Sequence, residues 1–145
     1  MREIKFRAWD KQERVMLAND GIDYICFSTK SLKLVTQKQE DYFDVDNVIS
    51  LMQYTGLKDK NGIEIYEGDI VKIDFDMHFM NLGLNKNIKD HGNKYEFVGE
   101  VKYYDGAFNV DNNKEGYPLF HEISPVEIIG NIYENSDLLE GNRWN

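Results

Sequence analysis

The feature that most constrains this chain is an alternation of apolar and polar residues with a period of two, which is typical of β-strands. The clearest such run covers residues 70–75, and residues 95–103 place every second residue on one apolar face. This period dominates over the 3.6-residue period of a helix, so little helix is expected. The sequence therefore predicts a mainly β fold, with an α+β fold as the alternative.

Turn dipeptides separate the apolar runs. Asn61-Gly62 and Asp105-Gly106 are the residue pairs that two-residue hairpin turns favour, because both positions of a type I′ turn need positive φ. Gly68-Asp69 marks a further tight turn, and an apolar strand at 126–133 closes the series. Hairpins in this order predict a small SH3-like half-open barrel.

The expected organisation is a single compact unit with two parts, an N-terminal β lobe over 1–46 and a barrel-like β domain over 47–145. Residues 48–52 are consistent with either a helical turn or a short strand. Residues 76–94 have only weak periodicity, and a loop of that length is unusual in a compact domain. We therefore expect 76–94 to be functional, mobile or an insertion.

Charge and cysteine content exclude several functions. The chain has 145 residues, with 17 Lys and Arg against 26 Asp and Glu, and a formal net charge of -9. Such a balance argues against direct binding to nucleic-acid phosphates and against docking on an anionic membrane. A single cysteine allows no intrachain disulfide, and the start of the sequence has no apolar segment of a signal peptide. No apolar run is long enough to span a bilayer, so we expect a cytoplasmic protein of a bacterial host cell.

Three stretches of the sequence together resemble a known family. They are residues 1–10 (MREIKFRAWD), residues 51–71 (LMQYTGLKDKNGIEIYEGDIV) and residues 126–135 (VEIIGNIYEN). They are similar to the YopX family of small proteins encoded by bacteriophages and prophages. The resemblance implies no reaction, cofactor or catalytic residue, and it implies assembly into homo-oligomers.

Five residues within these stretches are candidates for ligand or interface contacts. The rings of Trp9, Tyr54 and Tyr66 suit either ligand stacking or packing in a core or between subunits. Glu67 and Asp69 flank one turn, where two carboxylates could divide acid and base roles or simply accept backbone hydrogen bonds. The turn function is the better interpretation, and no catalytic residue is assigned.

Metal and nucleophile chemistry find little support in the sequence. A mixed site near the 76–94 loop would use His78, His91, Asp74, Asp76 and Asp90, but no zinc-binding spacing supports it. Cys26 lies in an apolar run at 22–28 that is typical of a strand buried on both faces, so an inert thiol is expected. We therefore predict no metal and no cofactor.

Three functional hypotheses remain. The first is a non-enzymatic protein that acts through self-assembly or contacts with a host or phage protein. The second is an enzyme or small-ligand-binding protein with a pocket between the two lobes. The third is an acidic nucleic-acid mimic that inhibits a host protein, since acidic residues are concentrated toward the C-terminus, with 3 basic and 8 acidic side chains in residues 101–145.

Overall fold

The computed structural model describes residues 3–34, 42–75, 95–119 and 125–140, and within these ranges the chain is mainly β with little helix, which confirms the predicted class. The strands are β1 (Phe6–Asp10), β2 (Val15–Leu17), β3 (Ile22–Cys26), β4 (Ser31–Leu34), β5 (Tyr42–Asp44), β6 (Ile49–Lys58), β7 (Glu64–Tyr66), β8 (Asp69–Phe75), β9 (Tyr95–Tyr104), β10 (Ala107–Asp111), β11 (Gly116–Pro118) and β12 (Val126–Asn131). A 3₁₀-helix spans Asn19–Gly21, and helix α1 spans Asp137–Glu140.

The chain divides into two compact units, unit 1 over Met1–Gly56 and unit 2 over Leu57–Asn145. The sequence suggested a division after residue 46. The observed division falls inside β6, because β6 pairs with β1 along most of its length before Gly56, with Ala8 opposite Leu51. The segment that was consistent with a helical turn or a strand is thus the start of a ten-residue strand.

Unit 1 holds two antiparallel groups of strands. One contains β2, β1 and β6 in that order, and the other contains β3, β4 and β5. The side chains of Ala8, Leu32 and Ile49 are fully buried in the core of this unit. Partly buried apolar residues pack around them, namely Leu17, Ile22, Ile25, Leu34, Phe43, Val45, Val48 and Leu51.

Strand β3 differs from the prediction that it is buried on both faces. It lies at one edge of its sheet, and Asp23 and Tyr24 are exposed. An apolar run shows that a strand exists, but only its position in the sheet decides how many faces are covered. Residues 42–44 also form a strand, in which Phe43 lies opposite Leu32 of β4.

Unit 2 is built on a five-stranded antiparallel sheet with the order β11-β10-β9-β8-β12, which curls into a half-open barrel as the sequence predicts. Strand β7 lies next to β6, whose last two residues belong to this unit. Alternate residues of the strands point into one core. The buried core residues are Ile65, Val71, Ile73, Phe97, Val101, Val110, Leu119 and Val126.

The buried carboxylate of Asp59 connects the turn after β6 to strand β12 by hydrogen bonds. Asp59 is 4% exposed, and its Oδ1 accepts hydrogen bonds from the backbone N–H groups of Asn61 (2.8 Å) and Ile63 (3.0 Å). Its Oδ2 accepts one from the N–H of Ile128 (3.1 Å), and the Lys60 N–H donates to the carbonyl of Val126 (2.8 Å). Asp59 therefore satisfies backbone donors of two segments that are far apart in sequence.

Among the residues that the structure describes, no helix is long and apolar enough to cross a membrane.

Candidate functional site

Two of the candidate residues lie in unit 1. Trp9 in β1 is 7% exposed and Tyr54 in β6 is 5% exposed. Ser50 lies opposite Trp9 in the β1–β6 pairing, and the Tyr54 N–H donates to the carbonyl of Lys5 (2.9 Å), so both rings lie on one face of these strands. The ammonium of Lys5 lies 5.6 Å from the centre of the Tyr54 ring. Both rings are buried, and their assignment to a ligand or an interface stays a prediction.

The other three candidates lie in unit 2, at the turn between β7 and β8. Asp69 is 2% exposed, and its Oδ2 accepts a hydrogen bond from the backbone N–H of Tyr66 (2.8 Å). The Tyr66 hydroxyl donates to Oε2 of Glu64 (3.2 Å), and Gly68 has a φ of +82°. Asp69 therefore stabilises the turn, and a role of Glu67 or Asp69 in binding stays a prediction.

No group of three or more His, Cys, Asp or Glu residues that could hold a metal ion occurs within the described ranges. Of the residues considered for a mixed site, only Asp74 lies in these ranges. His78, His91, Asp76 and Asp90 lie outside the described residues, as does the 76–94 loop.

Cys26 differs from the inert buried thiol that the sequence suggested. It lies at the end of the edge strand β3 and is partly exposed, and its Sγ is 3.3 Å from Oγ of Ser28. Hydrogen bonds from the Ser28 and Thr29 side chains, followed by the backbone of Thr29, lower the pKa of the Cys26 thiol from its ordinary value of 9.0 to about 7. The thiol is thus partly ionised at neutral pH.

We expect the alkylation of Cys26 by iodoacetamide to rise with pH through a midpoint of about 7, because the thiolate is the reactive form. Cys26 is the only cysteine of the chain, so the intact mass reports this one reaction. Ser28→Ala should move the midpoint upward, whereas Ser136→Ala, in the other unit, should leave it unchanged. A wild-type midpoint equal to that of glutathione measured in parallel would contradict the assignment.

The structure also has a polar depression on unit 2, which is not among the sequence predictions. It has a volume of about 430 Å³ and opens to solvent. We call it the Lys102 depression, and its lining residues are Lys102, Tyr104, Asp111, Asn113, Lys114, Glu115 and Gly116. They come from β9, from the end of β10, from the turn after it and from the first residue of β11.

The ammonium of Lys102 lies among three oxygen atoms. Its Nζ is 3.0 Å from Oδ1 of Asn113, 3.6 Å from Oε2 of Glu100 and 3.7 Å from Oδ1 of Asp111. Glu100 lies opposite Asp111 in the β9–β10 pairing, and the period of two places Lys102 on the same face as Glu100. Burial raises the pKa of Glu100, and the charge of Lys102 opposes that rise.

The hydroxyl of Tyr104 is fixed at the other side of the depression. It donates to Oδ2 of Asp111 (3.0 Å), and this hydrogen bond raises the pKa of Tyr104. Burial raises the pKa of Asp111, but the hydrogen bonds from the Asn113 N–H and the Tyr104 hydroxyl, with the charge of Lys102, outweigh it and lower this pKa below its ordinary value. A Cβ at Gly116 would clash with the Tyr104 hydroxyl oxygen. Tyr104 is therefore held in place as a neutral donor beside an ionised carboxylate.

A signal for this depression is present in the sequence but incomplete. The alternation that places Phe97 and Val101 in the core also places Glu100, Lys102 and Tyr104 together on the opposite face. The Asp105-Gly106 turn then predicts a returning strand. A two-residue turn at Asp105-Gly106 pairs Tyr104 with Ala107 and thereby sets Asp111 opposite Glu100, but which of these side chains line a depression does not follow from the sequence.

Comparison with known proteins identifies the family to which the chain belongs. The model of the family described as "YopX protein" matches residues 5–140. The chain belongs to the YopX family. This confirms the resemblance carried by the three sequence stretches. One YopX relative, the "SPbeta prophage-derived uncharacterized protein YopX" of Bacillus subtilis (strain 168), is 30% identical, and the match covers 94% of this chain and 96% of the relative.

Two solved structures are similar to this YopX-family chain. Protein yopX from Bacillus subtilis has a TM-score of 0.60 and 27% identity, covering 99% of this chain and 100% of that one. Protein EF1440 from Enterococcus faecalis has a TM-score of 0.54 and 27% identity, covering 96% of this chain and 99% of that one. The likeness thus extends over both units.

Proposed function

We propose that this protein is encoded by a prophage or phage and works without catalysis, through contacts between copies of itself in the cytoplasm of the bacterial host. The prophage origin of the Bacillus subtilis relative supports that setting. The observation that carries the proposal is an exposed apolar surface on unit 1. By analogy of fold, an SH3-like half-open barrel is also consistent with a role as a binding scaffold.

The exposed surface, which we call the Phe27 patch, consists of Ile4, Phe6 and Phe27. Ile4 is 66% exposed and Phe27 is 70% exposed. The rings of Phe6 and Phe27 meet edge to face with their centres 6.3 Å apart. Ile4 precedes Phe6 by two residues, the spacing that puts extended-chain side chains on one side. Adjacent exposed apolar side chains of this kind mark interaction surfaces more often than scattered ones do.

Charge favours a second copy of the chain as the occupant of the Phe27 patch. Residues 1–56 carry 8 basic and 9 acidic side chains, whereas residues 57–145 carry 9 basic and 17 acidic ones. Two copies that meet through unit 1 bring together surfaces with almost no net charge. Contact between two copies of unit 2 would instead bring net charges of -8 together, and like charges repel.

The buried carboxylates support a role without catalysis. Asp59 and Asp69 accept hydrogen bonds from backbone N–H groups, and so does Asp10, whose Oδ1 is 2.9 Å from the N–H of Gln12. These acids therefore stabilise turns of the fold.

We expect sedimentation equilibrium to show reversible self-association of the wild-type chain, and Phe27→Ser to weaken it about tenfold or more. Burial of a phenylalanine side chain is worth about 1.5–3 kcal/mol, and about 1.4 kcal/mol corresponds to a factor of ten. Added salt should strengthen the association, because it screens the repulsion between two acidic chains.

Ile63→Ser is the matched control, since Ile63 is 55% exposed but belongs to unit 2. It should leave the association unchanged. A wild-type chain that stays monomeric at the highest concentration reached would contradict the proposal, as would an equal effect of the two substitutions. Selective retention of one host or phage protein by the wild type and not by Phe27→Ser, with no self-association, would identify a different occupant and overturn self-assembly.

A further inference from the structure

We propose that the Lys102 depression of unit 2 binds an uncharged, hydroxyl-rich ligand, that is, a carbohydrate. This inference is independent of the Phe27 patch, which belongs to unit 1. The volume of about 430 Å³ lies within the range of small-molecule sites, roughly 300–1,000 Å³. Six of the seven lining residues carry polar or charged side chains, and the seventh is a glycine, so a purely apolar ligand finds few partners there.

Charged ligands are disfavoured because the charges of the depression already compensate one another. The Lys102 ammonium lies within 4 Å of carboxylate oxygens of both Glu100 and Asp111. An anion would compete with these carboxylates for Lys102 and would meet the net negative charge of unit 2. A cation would be repelled by the Lys102 ammonium. A neutral ligand can bind without breaking the ion pairs of Lys102 with Glu100 and Asp111.

The polar groups match what a hydroxyl group needs. A hydroxyl donates one hydrogen bond and accepts up to two. The Lys102 ammonium has three donors, the Asp111 carboxylate has only acceptors, and the Asn113 amide has both. These groups lie within 3.7 Å of Lys102 Nζ, so neighbouring hydroxyls of one sugar ring can accept from the ammonium and donate to the carboxylate.

Among the described residues that line the depression, Tyr104 is the one with an aromatic ring. The tyrosine is 36% exposed and is held by the hydrogen bond to Asp111. Because Gly116 has no Cβ, the Tyr104 hydroxyl can lie directly over its backbone. An aromatic face with a negative quadrupole attracts the weakly positive C–H groups of a sugar ring. A ring held in place in the free protein loses little conformational freedom on binding.

The test is a nitrogen–proton NMR titration of the full chain with D-glucose, D-galactose, N-acetyl-D-glucosamine and cellobiose, with inorganic phosphate as the anionic probe. We expect saturable shifts for at least one sugar, confined to residues 100–104 and 109–117. Tyr104→Ala should weaken the binding at least tenfold. Asp111→Asn, which keeps the side-chain size but removes the charge, should also weaken it.

Tyr103→Ala is the matched control. Tyr103 is the preceding residue of β9, is 56% exposed, and packs against Phe108 with ring centres 4.9 Å apart. Since successive side chains of a strand point to opposite faces, its removal should leave the sugar affinity unchanged. No saturable shift with any of the four sugars would overturn the proposal. Shifts with phosphate alone, or an equal effect of Tyr103→Ala and Tyr104→Ala, would overturn it as well.

Discussion

Asp59→Ala is expected to lower the free energy of unfolding by about 3 kcal/mol. The substitution leaves three backbone N–H groups, those of Asn61, Ile63 and Ile128, without the buried carboxylate that accepts their hydrogen bonds. Hydrogen bonds to a charged group are worth about 1.5–3 kcal/mol each, and their loss is not additive. Urea unfolding followed by circular dichroism, with hydrogen exchange at the amides of β8, measures the effect.

The same residue predicts an acid dependence of stability. Burial raises the pKa of Asp59, but hydrogen bonds from the N–H groups of Ile63, Ile128 and Asn61, with the charge of Lys60, outweigh it and bring this pKa below its ordinary value of 3.8. A carboxyl group whose pKa is lower in the folded than in the unfolded state stabilises the fold at pH values above its unfolded-state pKa. That stabilisation is lost as the pH falls from 3.8 through the folded-state pKa.

The stability difference between wild type and Asp59→Ala should therefore shrink as the solution is made more acidic below about pH 4. Asp20→Ala is the control, because Asp20 is exposed and should change stability little at any pH. An Asp59→Ala protein as stable as the wild type at neutral pH would show that Asp59 does not fasten the turn to β12.

Gly99→Ala is the second substitution with a large expected effect, a loss of about 2 kcal/mol. A Cβ at residue 99 would lie 2.9 Å from the carbonyl oxygen of Asp111 and 2.9 Å from Cγ1 of Val110, so strand β10 must shift. Added atoms in a packed interior cost about 1–3 kcal/mol. The measurement is urea unfolding, with NMR shifts of the β10 amides to report the displacement.

Gly21→Ala is the matched control for Gly99→Ala. Nothing lies within 4 Å of a Cβ built at Gly21, so this alanine should be neutral or stabilise slightly by restricting the unfolded chain. If the two alanine substitutions had equal effects on stability, close packing at Gly99 would not be the cause of the loss.

The parts of the fold that depend on neighbouring residues in sequence could be predicted. Strands β8 and β9 follow from their alternation, and Asp105-Gly106 takes the two positive φ angles, 52° and 77°, that its hairpin turn needs. At Asn61-Gly62 only Gly62 has a positive φ, +81°. The reason is that Asp59 accepts a hydrogen bond from the Asn61 N–H and thereby favours a longer turn.

The parts that depend on distant residues could not be predicted. An apolar run as short as 48–52 fits a helical turn or a strand, and pairing with β1 is what makes it a strand. Tyr24 is exposed on β3, which lies at the edge of its sheet. Neither the β1–β6 pairing nor the edge position of β3 leaves a local signal in the sequence.

The position of the boundary inside β6 also limits how the gene can change. Leu57 follows Gly56 directly within one strand, so no linker separates the coding sequences of the two units. An exchange of one unit between related genes would have to join two sequences in the middle of that strand. A junction displaced by a single residue would turn every following side chain of the strand to the opposite face. The two halves of the gene are therefore expected to be inherited together, with length changes confined to the turns between strands.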